Sequence, residues 1–345
     1  MTRANTSLLA LAAAGAGVYL AARAIRRGTE TYDLHGRTVL ITGGSRGLGL
    51  VLGREFVRQG ARVAICARDI EELERASADL VRPGAPVIAV PCDVTNYNEV
   101  EEMVQNVRQH LGRIDILVNN AGTIEVGPLE TMTLTDFEEA MKTNYSGALH
   151  AILAVIPGMR ERGEGRIVNI TSIGGKVAIP HLTPYTASKF ALVGLSKAMR
   201  AELDKDNILV TTVCPGLMRT GSPRNAVFKG QHRAEYTWFS IGDSLPLVSI
   251  SAESAARRII AACRRGEAEV IFPIQAKLAA LCDALFPELS ADLAALANRL
   301  LPAPGGIGTG KAKGRDSESS LSPSVLTVLG DQAARRNNEY GGYAA

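Results

Sequence analysis

Between Gly36 and about Phe272 the chain alternates short β-branched runs with amphipathic runs, and no other feature constrains its fold as strongly. Strands are expected at residues 38–41, 62–66, 87–90, 116–119, 166–170, 209–213 and 269–271. Helices are expected between them, at 48–59, 70–81, 98–111, 136–162, 184–204 and 252–265. Strands alternating with helices make βαβ units, and right-handed crossovers assemble these into a parallel sheet covered on both faces. The expected class is α/β, a doubly wound parallel sheet with a ligand crevice at the carboxyl ends of its strands.

Composition narrows the function classes. The 345 residues carry 38 Lys and Arg against 35 Asp and Glu, a net charge of +3. That balance, with only 5% aromatic residues, argues against a dedicated nucleic-acid surface. The five cysteines (Cys66, Cys92, Cys214, Cys263 and Cys282) are odd in number and form no C-x-x-C pair. They read as small core hydrophobes rather than a disulfide or zinc framework, and no metal site is expected.

The first strand runs into Thr42-Gly43-Gly44-Ser45-Arg46-Gly47-Leu48-Gly49 and then a helix. Gly43 permits a sharp turn, Gly47 a close approach to a pyrophosphate, and Gly49 tight packing of helix on strand. The helix N-terminus offers free N–H groups to phosphates. With this spacing the sequence resembles the short-chain dehydrogenase/reductase family, over roughly residues 36–272. Further motifs fall in the family's order: Cys92-Asp93-Val94, Asn119-Asn120-Ala121-Gly122, and Pro215-Gly216 with Thr220 beyond. The resemblance implies a Rossmann-type catalytic domain that binds a nicotinamide cofactor. By the same resemblance Asp93, beside Val94, bonds the adenine amino group, and Pro215, Gly216 and Thr220 contact the nicotinamide.

An acid at the end of the second strand would bond a ribose 2′-hydroxyl and repel a 2′-phosphate. Here that place holds Ala67, followed by Arg68, and Arg46 lies in the glycine loop. Arginine forks suit phosphate oxygens, so NADP(H) is preferred over NAD(H).

Tyr185 and Lys189 stand at i and i+4 on one helix face. A free phenol titrates near ~10, and a neighbouring ammonium is expected to lower that value. Ser172 follows the fifth strand, with Thr171 its rival on chemistry alone. The resemblance assigns Ser172 to holding the substrate oxygen and Asn144 to a proton relay toward Lys189. It makes Tyr185 the proton donor and Lys189 its tuner and a ligand of the nicotinamide ribose. The implied reaction is hydride transfer between NADP(H) and a small-molecule carbonyl or alcohol. A non-catalytic NADP(H)-binding scaffold or redox sensor is the alternative from another class. His181 receives no role. Homo-oligomers are common in the family and are expected for this chain.

The ends differ from the middle. Residues 4–22 carry no charge and are rich in Ala and Leu, and Arg23, Arg26 and Arg27 follow. At about 1.5 Å per residue such a helix would just span a hydrocarbon core of about 30 Å. A membrane anchor with the body on the cytoplasmic side is expected, against a signal peptide or a surface helix on a cytoplasmic protein. The expected division is 1–35 hydrophobic segment and basic linker, 36–272 catalytic domain, and 273–345 C-terminal extension. In that extension Leu293, Leu296 and Leu300 lie at helical spacing, either packing on the parent domain or forming a lid over an apolar substrate. Pro302 to Leu321 reads as a loop or linker, and Ser322-Pro323 as the start of a helix through Leu326 and Leu329. Between residues 217 and 250, Met218, Val227, Phe228, Tyr236, Trp238, Phe239 and Leu245 serve either an apolar substrate pocket or the core.

Overall fold

The computed structural model describes Gly15, Gly17 and residues 32–246 and 248–340. The chain divides after Asp33, and the elements that follow belong to the unit from Leu34 onward. They are β1 (Thr38–Thr42), α1 (Gly47–Arg58), β2 (Arg62–Ala67), α2 (Ile70–Leu80), β3 (Val87–Pro91), α3 (Tyr97–Leu111), β4 (Ile116–Asn119) and β5 (Glu125–Val126). Next come α4 (Leu134–Met141), α5 (Gly147–Arg162), β6 (Gly165–Ile170), α6 (Thr183–Leu203), β7 (Ile208–Pro215), β8 (Met218–Arg219), β9 (Val227–Phe228) and α7 (His232–Ser244). The last are β10 (Ile250–Ser251), α8 (Ala252–Arg265), β11 (Glu269–Phe272), α9 (Ile274–Leu285), α10 (Pro287–Asn298), β12 (Ala312–Lys313) and α11 (Val328–Arg336).

Seven strands form one sheet in the order β11-β7-β6-β4-β1-β2-β3, and every pairing is parallel. The β-branched runs explain this directly. β1 and β4 are buried along their whole length, as strands covered on both faces must be. Helices α1, α2 and α8 pack on one face, while α3, α5 and α6 meet in the core on the other. Each fully buried Leu, Ile or Val in that core contributes roughly 1.5–3 kcal/mol by leaving water. The strand order reverses between β1 and β4, which opens a crevice at their carboxyl ends. The sequence expectation of a Rossmann-type sheet holds.

Three details depart from the sequence reading. The expected helix 136–162 is two helices joined by a π-helical turn at Lys142–Ser146, which contains Asn144. Ser322-Pro323 does not open a helix. The Ser322 side chain is buried against the Ser240 hydroxyl at 2.8 Å, and α11 begins only at Val328. The stripe of Leu293, Leu296 and Leu300 does not pack on the parent domain. Leu293, Leu296 and Leu300 are more than half exposed, and α11 instead buries Ala333 and Ala334. At α11 the approach is close: a Cβ at Gly221 would lie 2.5 Å from that of Ala334, leaving no room for a larger side chain there.

Of the two readings of residues 302–321, the structure shows a loop, held to the domain by its backbone. Gly230 N–H donates to Gly308 O, Ile307 N–H donates to Gly230 O, and β12 pairs with β9. Among the described residues no helix is long and apolar enough to cross a membrane. Residues 4–22 lie outside the described residues, apart from the helical Gly15 and Gly17.

Candidate active site

The expected site residues converge on the carboxyl edge of the sheet. Thr42 ends β1, and its hydroxyl accepts from the N–H groups of Asn120 and Ala121 at 3.1 and 3.2 Å. Asn120 Nδ2 donates to the carbonyls of Thr42 and Gly43, so the Asn-Asn-Ala-Gly segment is tied to the glycine loop across the switch point. Gly43 has φ +64°, and a Cβ there would meet Ala121 Cα at 2.8 Å. A Cβ on Gly49 would lie 2.1 Å from the Gly43 carbonyl oxygen, so α1 leaves the loop at a distance only glycine allows. Leu48 is buried in the first turn of α1.

At the ends of β2 and β3, Arg68 is exposed and lies 4.0 Å from Asp93 Oδ2, while Asp93 Oδ1 accepts from Thr95 N–H. Val94 is buried against Gly147. Arg46 is already engaged: its Nη1 lies 2.6 and 2.9 Å from the Glu72 carboxylate oxygens, and its Nε lies 3.4 Å from Glu339. Glu72 also accepts from the Ser45 hydroxyl. Sequence reasoning missed Glu72, since nothing in a surface-helix glutamate marks a contact 26 residues back. It also missed Lys313, on β12. Burial, then the positive charges of Arg46, Arg68 and Arg315, hold the Lys313 ammonium below its ordinary pKa, so these four cations share one field.

Ser172 follows β6, and its Oγ accepts from Gly174 N–H at 3.0 Å. A Cβ on Gly174 would lie 3.3 Å from Tyr185 Cε1 and 3.5 Å from Ser172 Oγ, so the two side chains flank the same glycine. Thr171, its rival on chemistry, turns into the core, where its hydroxyl donates to the Val213 carbonyl. Lys189 is buried one turn beyond Tyr185, with Nζ 3.1 Å from the Ile170 carbonyl and 5.6 Å from the Tyr185 ring centre. Asn144 is buried in the π-helical turn, where Oδ1 accepts from Thr123 N–H and Nδ2 donates to Ser188. A Cβ on Gly122 would lie 2.9 Å from Asn144 Oδ1 and 3.5 Å from Lys189 Nζ, so the missing side chain keeps a small polar space between them.

The electrostatics correct one expectation. Burial pushes the Tyr185 phenol up to about 12, with the nearby Ser172 hydroxyl pulling the other way. Burial likewise brings the Lys189 ammonium down to about 8. Lys189 was expected to lower the phenol, but its hydrogen bond goes to Ile170, and desolvation of both groups dominates.

Behind Tyr185, Phe228, Tyr236 and Phe239 form a buried aromatic cluster, which settles those side chains as core. Beside it opens a cavity of about 650 Å³, lined among others by Leu129, Ile179, His181, Thr186, Ala294 and Leu301. α10 walls this cavity with its alanine side and turns its leucines outward. His181 is buried with Nδ1 2.8 Å from Glu235, which fixes the loop to α7. The carboxylates of Glu125, Asp136 and Glu139 also converge, but Lys311 Nζ lies within 3.0 Å of all three.

Pro215 ends β7, and the N–H of Gly216 just beyond it donates to Phe272 O. Thr220 is buried opposite the glycine loop. Between the two lies a segment no motif announced. Gly47 N–H donates to Asn337 O at 2.9 Å, and Asn337 Nδ2 donates to Thr220 O at 3.3 Å. Glu339 Oε1 occupies the space a Gly47 side chain would take, 2.6 Å from the Cβ position. Burial pushes the Glu339 carboxyl up to about 7, against Arg46 and Asn225, which pull it down. The backbone cradle, the open polar space at Gly122 and the cation cluster fit a dinucleotide, apart from residues 337–339, which lie across it.

Comparison with known proteins agrees with this geometry. The short chain dehydrogenase family model matches residues 37–228, more than half of the chain. A dehydrogenase/reductase SDR family protein 7-like from Anopheles gambiae is 41% identical over 199 residues, covering 56% of this chain and 63% of that protein. A 3-ketodihydrosphingosine reductase from Mus musculus is 36% identical over 187 residues, covering 53% and 56% of the two chains. The chain thus spans less than two thirds of the length of these two relatives. A gluconate 5-dehydrogenase from Burkholderia cenocepacia, solved with NADP and tartrate, superposes with a TM-score of 0.63 at 27% identity, over 72% of this chain and 98% of that one. With its switch-point glycine loop and its Ser172, Tyr185 and Lys189 cluster, the chain belongs to the short-chain dehydrogenase family.

Proposed function

We propose that this oxidoreductase reduces a hydrophobic ketone or aldehyde with NADPH, Tyr185 giving the proton. The observation that carries this reading is the grouping of Ser172, Tyr185, Lys189 and Asn144 beside the glycine loop. Ser172 orients the substrate oxygen, and the phenol, held protonated far above neutral pH, is a donor ready for a carbonyl oxygen. Lys189 and Asn144 flank the polar space through which that proton is replaced. The nicotinamide, when bound, supplies the hydride. Thr42, Gly43, Gly47, Leu48, Gly49, Asp93, Val94, Asn120, Ala121, Gly122, Pro215, Gly216 and Thr220 would line its site, with Tyr185 and Lys189 near the ribose.

The preference for NADP(H) is supported by the missing acid at Ala67 and by the shared field of Arg46, Arg68 and Lys313. An apolar substrate is supported by the 650 Å³ cavity, whose lining includes Leu129, Ile179, Ala294 and Leu301. The mouse relative, named as a reductase of 3-ketodihydrosphingosine, points the same way. Residues 4–22 would hold such an enzyme at the membrane where an apolar substrate resides, and catalytic-domain pairing into oligomers is part of the same proposal. A screen of long-chain ketones and aldehydes with NADPH and NADH tests it. Turnover with NADPH is expected to have the higher kcat/KM. A higher value with NADH, or turnover confined to polar hydroxy acids, would contradict it.

A further inference from the structure

The residues after α11 bridge the cleft from one wall to the other. On the glycine-loop side, Gly47 N–H donates to Asn337 O, and Asn338 Nδ2 donates to the carbonyls of Ser45 and Glu72 at 2.9 and 3.0 Å. Arg75 Nε holds Asn338 Oδ1, and Arg54 holds both Asn337 Oδ1 and Arg336 O. On the opposite side, Asn337 Nδ2 reaches Thr220 O, and Asn225 Nδ2 donates to the Glu339 carboxylate. Tyr340 then stacks under Arg224, whose guanidinium carbon lies 3.8 Å from the ring centre. Asn337 and Glu339 are buried, so this is a fitted segment and not a loose tail.

The chemistry of the fit matters more than its tightness. A carboxylate stands at the N-terminus of α1, against the side-chain-less Gly47 and 3.4 Å from Arg46 Nε. An anion, a glycine backbone and an arginine make the environment in which a diphosphate is bound. The Gly47 N–H such a diphosphate would use is already donated to Asn337.

We propose that residues 337–340 are a strap that excludes the dinucleotide diphosphate from the glycine loop, so that cofactor enters only as the strap lifts. This rests on the reading of the cleft as a nicotinamide dinucleotide site. Apparent cofactor affinity is then reduced by the fraction of molecules with the strap in place. The strap also couples affinity to α11, since Asn337 and Glu339 N–H groups bond back to Ala333 and Ala334.

The test is NADPH and NADH titration, by cofactor fluorescence, of the full chain and of the full-length double variant Asn338→Ala/Glu339→Ala. Affinity for NADPH is expected to tighten by about fivefold or more, with kcat unchanged. Equal or weaker binding in the variant overturns the strap while leaving the cofactor reading intact. If neither protein binds either nucleotide, the cofactor reading falls and the strap with it. Hydrogen exchange on the unaltered protein gives a second readout that needs no variant. Saturating NADPH is expected to speed exchange across residues 328–340; slower or unchanged exchange there would mean a lid that closes over cofactor, or no response, and either result overturns the proposal.

Discussion

At the catalytic end of the cleft, Ser172, Tyr185, Lys189 and Asn144 are assembled from three elements, and Ser172, Lys189 and Asn144 are held by hydrogen bonds to the backbone. At the glycine-loop end the backbone is equally well formed, but its donors and its arginine are spent on the chain's own Asn337, Glu72 and Glu339. The difference separates two tasks. Chemistry needs groups fixed before substrate arrives, since positioning lowers the barrier only when it is already in place. Cofactor occupancy is open to control, because a competing contact of modest strength shifts an equilibrium without touching the reacting groups.

Substitutions at the two ends should therefore act on different quantities. Tyr185→Phe removes the proton donor, and kcat is expected to fall by about 10²–10⁴-fold while the NADPH Kd stays within twofold. A parallel loss of cofactor affinity would blur the two ends into one. Gly49→Ala strikes the scaffold they share. Its Cβ would sit 2.1 Å from the Gly43 carbonyl oxygen, and a stability loss of about 3 kcal/mol or more is expected in urea unfolding. An unchanged midpoint would show that the loop relaxes freely. Arg68→Glu acts at the glycine-loop end alone, and the ratio of NADPH to NADH affinities is expected to drop by about tenfold, with kcat little changed. The smallest effect is in pH. Because Tyr185 is held protonated to about 12, carbonyl reduction should be level through neutral pH, then decline as Lys189 loses its proton above about 8. Alcohol oxidation, which needs the phenolate, should rise over the same range. Stopped-flow rates in both directions check the opposed signs.

The strands and the ordered motifs were legible because both are local: β-branched runs, a glycine spacing, and Tyr185 and Lys189 one turn apart. What was not legible depends on distant partners. The sequence offers Arg46 to a phosphate, yet Glu72 and Glu339 bind it from 26 and 293 residues away. The π-helical turn at Asn144 follows from hydrogen bonds to Thr123 and Ser188, which no helical periodicity reports. In the extension the leucines give the visible hydrophobic signal, whereas Ala333, Ala334 and the alanine side of α10 face the domain. Small residues give no hydrophobic signal at the very places where close approach selects them.

The most direct test follows the hydride itself. NADPH deuterated at the reactive C4 position is incubated with a long-chain ketone, and the alcohol product is read by mass spectrometry and NMR. Deuterium is expected at the carbinol carbon with the unaltered enzyme, and the rate is expected to collapse in Tyr185→Phe. Product without deuterium at that carbon, or undiminished transfer in Tyr185→Phe, would contradict the assignment of the site.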